Sequence, residues 1–101
     1  MILFHQLNND EKLKYINDSE NVFCGEEIEE KKVILNYLKS FKPGYATSAF
    51  VYDEIKRKTL EGVYDVGYDD GIYYWDGKDI YHFENYNMPL NNTFIKYVLG
   101  K

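Results

Sequence analysis

Asp69-Asp70-Gly71 narrows the possible folds more than any other feature of the chain. It stands between two β-prone runs, 63–68 and 72–75. An Asp-Gly pair between such runs predicts a β-hairpin over 62–75 closed by a type I′ turn. In the first run Tyr64, Val66 and Tyr68 share one face, and Val63, Asp65 and Gly67 share the other. The second run leads directly into a helix start. Asp76 is the predicted N-cap, and Asp79 is the acidic residue three places on that completes a capping-box-like pattern. Ile80, Phe83 and Glu84 continue that helix, with Tyr86 and Asn87 near its end.

The remaining elements follow from spacing and caps. Asn9, an acidic first turn and the pair Leu13/Ile16 predict a short helix over 9–17. A polar loop over 18–25 has Val22, Phe23 and Cys24 as inward anchors. The long helix is predicted over 26–41, with Glu26, Glu27, Glu29 and Glu30 at its N-terminal end, where the dipole favours anions. Ile34, Leu35, Leu38 and Phe41 fall at helical spacing on it, and Pro43-Gly44 stops it. Residues 45–52 read as a strand, and 53–59 as either a basic turn or a short helix. Met88-Pro89-Leu90 connects to a last helix that Asn91 or Asn92 caps and Gly100 ends. The order is helix, helix, strand, hairpin, helix, helix. This is a single α+β domain over 1–101, with about four helices and a small antiparallel sheet that includes the hairpin near 63–75.

Length and composition remove several classes. A chain of 101 residues has room for one modest core. Its single cysteine cannot form an internal disulfide. No apolar run approaches the ~18 residues of a membrane span. The opening Met1-Ile2-Leu3-Phe4-His5 lacks a charged n-region and a long apolar core, so no signal peptide is expected. A net charge of −5 and a pI near 4.9 argue against direct nucleic-acid binding, which needs Lys and Arg on phosphates. A reduced, cytoplasmic, non-membrane protein is the expectation.

The residues for site chemistry are sparse. His5, Cys24 and His82 show no metal-ligand spacing, and His82 reads as a surface or half-buried residue. Nothing local supports a Cys24–His nucleophile pair. Gly62, Gly67, Gly71 and Gly77 match no phosphate loop and read as turn glycines. Asp65 to Asp76 fails the order of a calcium loop. The expectation is therefore no enzyme, no cofactor and no metal.

Charge and aromatics converge instead. Residues 61–87 hold seven acids against Lys78 alone, a net of −6 within a chain of −5. The same segment holds 8 of the 18 aromatic residues, which no disordered acidic tail would. Alternate tyrosines can line a core while the acids keep the outside wet. A field of one sign also steers a basic partner, and Tyr and Trp are enriched in interface centres.

The run 70–86, Asp-Gly-Ile-Tyr-Tyr-Trp-Asp-Gly-Lys-Asp-Ile-Tyr-His-Phe-Glu-Asn-Tyr, then Pro89-Leu90 and Phe94, resembles the C-terminal pattern of a family of small bacterial immunity proteins. These belong to contact-dependent growth inhibition and related polymorphic toxin systems. Asp70-Gly71, Tyr73, Trp75, Asp79, Tyr81, Glu84, Tyr86 and Phe94 fit the pattern, and Tyr37-Leu38 fits more loosely. Pro89-Leu90 reverses the family's Leu-Pro order. The resemblance implies a non-catalytic antidote that binds the C-terminal domain of a delivered toxin, a basic RNase or DNase, and blocks it. The matching residues would hold the fold. Specificity would sit in residues beside them, and the expected contacts are Glu61, Asp65, Tyr68, Asp69, Asp70, Tyr74 and Asp76. The alternative is a non-catalytic acidic module that binds some other basic protein.

Overall fold

A computed structural model describes residues 13–17 and 24–101, with the backbone alone for 45–48. Its elements are β1 (Lys14–Tyr15), α1 (Lys31–Lys39), β2 (Tyr45–Asp53), β3 (Lys58–Asp69), β4 (Tyr73–Asp76), α2 (Gly77–Tyr86) and α3 (Asn92–Leu99). The strands form one sheet in the order β1-β4-β3-β2. The fold is α+β, as the element pattern predicts. Two details differ. Among the described residues there are three helices rather than about four. The sheet is mixed rather than antiparallel, because β1 runs parallel to β4.

Both differences arise at the same place. Of the helix expected over 9–17, residues 9–12 lie outside the described residues, and Lys14–Tyr15 is a strand. Lys14 N donates to Ile72 O at 2.9 Å and Ile16 N to Tyr74 O at 3.3 Å. The Tyr15 and Tyr74 rings lie 5.2 Å apart, and Ile16 is fully buried in the core. Sheet hydrogen bonds and a buried isoleucine outweigh a weak local helix preference. Of the loop anchors, Val22 and Phe23 lie outside the described residues, and Cys24 is exposed rather than inward.

The β3–β4 hairpin forms where the Asp-Gly signal puts it, with Tyr68 opposite Trp75 and Asp69 opposite Tyr74. Its turn is not type I′, which needs two positive φ values. Asp70 N donates to Tyr73 O, and of the two residues between them only Gly71 has a positive φ, at +93°. One positive φ at the first central position is the requirement of type II′. Asp69 and Asp70 support the turn with side-chain acceptors where type I′ would need a second positive φ. Asp69 Oδ1 accepts from Gly71 N, and Asp70 Oδ1 from Ile72 N and Tyr73 N.

The doubtful stretch after β2 is a turn. Asp53 Oδ1 accepts from Ile55 N at 2.9 Å and Lys56 N at 2.7 Å, and Arg57 closes the loop at a φ of +55°. α1 forms over a shorter span than the predicted 26–41, because the chain before it is tied elsewhere: Gly25 N donates to Tyr86 O. α2 has the capping box that the sequence predicts, with Asp76 N donating to Asp79 Oδ2 at 2.7 Å. α3 is capped by Asn91, which accepts from Thr93 N at 2.8 Å, and Gly100 ends it.

One core joins sheet and helices. Ile16, Ile34, Leu38, Trp75 and Phe94 are fully buried, with Phe83, Met88 and Val98 beside them. Trp75 hydrogen-bonds through Nε1 to Leu38 O at 3.2 Å, so its polar edge is satisfied inside the core. Tyr37, Phe41, Trp75 and Phe94 meet at centroid separations of 5.0 to 6.3 Å. Among the described residues, no helix is long and apolar enough to cross a membrane.

Candidate functional site

Strand alternation sorts the expected contact residues. Tyr73 and Trp75 of β4 are buried in the core, so Tyr74 and Asp76 turn to the other face of the sheet. Asp69 pairs with Tyr74 and Gly67 with Asp76, which puts Asp69 on that outer face, and Asp65 joins it by alternation along β3. Four of the seven expected residues, Asp65, Asp69, Tyr74 and Asp76, therefore share one surface. The other three lie apart. Tyr68 is on the core side, stacked 6.4 Å from Trp75. Asp70 sits in the turn and reaches towards α1, where it accepts from Tyr37 Oη at 2.5 Å. Glu61 is exposed, next to Gly62 at a bulge where β3 slips against β2.

The acids of this surface also have local work. Asp65 Oδ1 accepts from Lys78 N at 3.1 Å, at the first turn of α2. Burial pushes the Asp65 carboxyl up, against the pull of the Lys78 and Gly77 amides. For Asp70 the balance runs the other way. Burial works upward, but donation from Tyr37 and from the Tyr73 and Ile72 amides holds the carboxyl below the usual range.

Three tyrosine–aspartate clasps explain much of the acidic, aromatic composition. Tyr37 with Asp70 is the first. Tyr15 with Asp79 is the second: Tyr15 donates to Oδ1 of the fully buried Asp79. Burial raises Asp79 to about 6, opposed by the Tyr15 and Asp76 N–H bonds and reinforced by the Asp76 charge. The third is centred on Asp53, also fully buried, whose Oδ2 accepts from Tyr81 at 2.6 Å and Tyr86 at 2.5 Å. Burial works to raise Asp53, but four donors hold it well below the carboxylate range.

His82 completes the third clasp. The surface or half-buried place expected for it is wrong, since it is fully buried. Its Nε2 accepts from Glu54 N at 3.0 Å, and Nδ1 lies 2.6 Å from Lys78 O. Those partners call for the tautomer with hydrogen on Nδ1, and both nitrogens are occupied. The β2–β3 turn is thereby fastened to α2.

The sequence reading missed Asp53, whose only signal is an Asp two and three residues before the amides it accepts from. It also missed an apolar patch on the β2–β3 ribbon. There Tyr64 is 56% exposed, Val63 48% and Tyr52 41%. Phe50 and Tyr64 pack at 4.8 Å across that ribbon.

Most of the residues that carry the resemblance are buried or half-buried, while Gly71 and Glu84 are exposed. Trp75 and Phe94 fill the core, and Asp70, Asp79, Tyr81 and Tyr86 make the clasps. Glu84 joins Lys39 of α1 at 2.8 Å. No family model matches the chain, and no curated protein and no solved structure matches it.

Proposed function

We propose that the protein is an immunity protein that binds and neutralises a bacterial toxin domain, a basic RNase or DNase, in the cytoplasm. The observation that carries this reading is the acidic face of β3 and β4. Asp65, Asp69, Tyr74 and Asp76 stand together on a rigid hairpin, and the sequence has no Lys or Arg anywhere from 59 to 77. Such a surface attracts a cationic groove and offers carboxylates where the groove would otherwise hold phosphates. The resemblance over 70–94 supports the same reading. So does the placing of Trp75, Phe94 and the tyrosine–aspartate clasps within the fold, while Asp65, Asp69, Tyr74 and Asp76 lie on the other face of the sheet.

Inhibition requires no chemistry from the antidote. It needs an interface that covers the toxin's active region and excludes its polyanionic substrate. The decisive experiment is co-expression with a toxin domain encoded beside this chain. Growth is restored, and purified toxin loses activity at an equimolar ratio. A toxin that stays active at that ratio refutes the reading. If pull-down instead recovers a basic protein with no toxic activity, the chain is a general acidic interaction module.

A further inference from the structure

The apolar patch on the β2–β3 ribbon lies between two ends of opposite charge. Six large apolar residues are exposed among the described residues, and three of them, Tyr52, Val63 and Tyr64, are on this ribbon. The other three, Val33, Ile72 and Leu99, stand one each on α1, the β3–β4 turn and α3. Single exposed apolar residues are ordinary on a surface, whereas a cluster marks a contact. Gly62 adjoins the cluster at a φ of +85°, and nothing stands within 4 Å of where its Cβ would be. A second chain meets no side chain there.

Lys56, Arg57 and Lys58 form one end of the ribbon, and all three are exposed. Glu54 is the acid exposed beside them, so that end is net positive. The other end carries Asp65 and Asp69, with Asp76 on the neighbouring strand. The spacing is even. Lys58 is five residues before Val63, and Asp69 is five residues after Tyr64, about 17 Å of strand in each direction. A net charge of −5 otherwise keeps copies of the chain apart.

We propose that the ribbon is a self-association surface whose occupant is a second copy of this chain. The contact is isologous, with a two-fold axis through Val63 and Tyr64. The apolar centre of one copy covers that of the other, and the basic turn of each meets the acidic end of the other. A two-stranded ribbon about 35 Å long and 10 Å wide offers roughly 350 Å² per copy, below the standard interface size. The dimer is therefore weak, with a dissociation constant on the order of 10–100 μM. The proposal goes beyond the toxin-binding reading and does not rest on it. Both contacts would cover Asp65 and Asp69, so a bound toxin excludes the second copy.

Sedimentation velocity on the purified chain tests this without a toxin. A reversible monomer–dimer equilibrium is expected between about 1 and 300 μM, weakened roughly tenfold from ~20 to ~500 mM salt. Lys56→Glu with Lys58→Glu changes only exposed side chains and is expected to stay monomeric. Asp69→Lys is expected to stay monomeric as well. An equimolar mixture of the two restores the dimer, because reversed charges meet at one end and native charges at the other. Cross-linking locates the contact without altering the hairpin turn. In a Cys24→Ser background, Val63→Cys or Tyr64→Cys forms a disulfide-linked dimer under copper phenanthroline roughly tenfold faster than Val33→Cys on α1. A chain that stays monomeric at the highest concentration overturns the proposal. So does a dimer that survives the Lys56→Glu, Lys58→Glu change, or cross-linking no faster on the ribbon than at Val33. Failure to neutralise a toxin would leave these results untouched, so the two readings fail separately.

Discussion

Tyr37 Oη and Asp70 Oδ2 meet at 2.5 Å, across 33 positions of sequence, and fasten the middle of α1 to the tip of the β3–β4 hairpin. The other oxygen of the same carboxylate accepts from the Ile72 and Tyr73 amides. Asp70 is thus both the turn and the clasp. Burial and the Asp70 bond together push the Tyr37 phenol well above its ordinary range, so the hydroxyl stays protonated and donating.

Tyr37→Phe tests that clasp with little change in shape. The ring remains among Phe41, Trp75 and Phe94, and only the hydroxyl is lost. The expected cost is about 1–2 kcal/mol, since the acceptor is charged and partly buried. A urea melt reads it as a lower midpoint at constant slope. An unchanged midpoint would show that the bond adds no stability.

Asp53 makes the fold sensitive to acid. Its folded pKa lies below its unfolded value near ~3.9, so its contribution is present above that pH and is lost as pH falls through the folded value. Asp53→Ala leaves the Tyr81 and Tyr86 hydroxyls and two turn amides without their acceptor. The variant is expected to melt well below the wild type at pH 7, with the gap closing towards pH 2. A gap that is constant with pH would deny the carboxylate its role.

Asp79 acts with the opposite sign. Its folded pKa, about 6, lies above the unfolded value, so the folded state holds the extra proton between roughly pH 4 and 6. Stability contributed by this group therefore falls as pH rises through that window, by at most on the order of 3 kcal/mol. The facing groups are the Tyr15 hydroxyl, the Asp76 carboxylate and amide, and Lys78. Asp79→Asn keeps an acceptor and removes the slope. Melting curves from pH 4 to 7 that fall equally in both proteins would refute the assignment.

Gly25 has a steric requirement that no turn signal in the sequence announces. Gly25→Ala brings its methyl against the Asn87 carbonyl, and a backbone atom cannot swing aside. The expected loss is roughly 1–3 kcal/mol, as for overpacking in a core. Hydrogen exchange should rise at the Gly25 amide bonded to Tyr86 O. Wild-type protection there would mean that the segment had moved without harm.

Local signals proved legible where the cause is local. The Asp-Gly turn, the Asp76–Asp79 capping box and the Asn91 cap each involve residues a few places apart, and all lie where the sequence puts them. Partners distant in sequence were not legible. β1 is two residues long and exists only because β4 offers it an edge. The burial of His82 and Asp53 depends on the β2–β3 turn folding back onto α2. The acidic, aromatic segment was visible as composition, but composition does not reveal which acids face a tyrosine and which face solvent. Alternation could have separated Tyr68 from Tyr74, given Trp75 as the core residue. Nothing local could have paired Asp70 with Tyr37.

That division sets how the candidate face must be tested. Charge reversal at Asp65, Asp69 or Asp76 would strike the α2 cap or the hairpin turn as well as any partner. Asparagine keeps a side-chain acceptor for the Lys78 and Gly71 amides and removes the charge. Glu61 is exposed on the ribbon and takes Lys directly. The combination Asp65→Asn, Asp69→Asn and Glu61→Lys is expected to melt close to the wild type. Its association with the cognate toxin should be slower by roughly tenfold or more at low salt and respond less to added salt, with a smaller change in dissociation. Stopped-flow measurement over a range of ionic strength reads both rates. A stable variant with wild-type association at every salt concentration would move the toxin-binding face off β3 and β4.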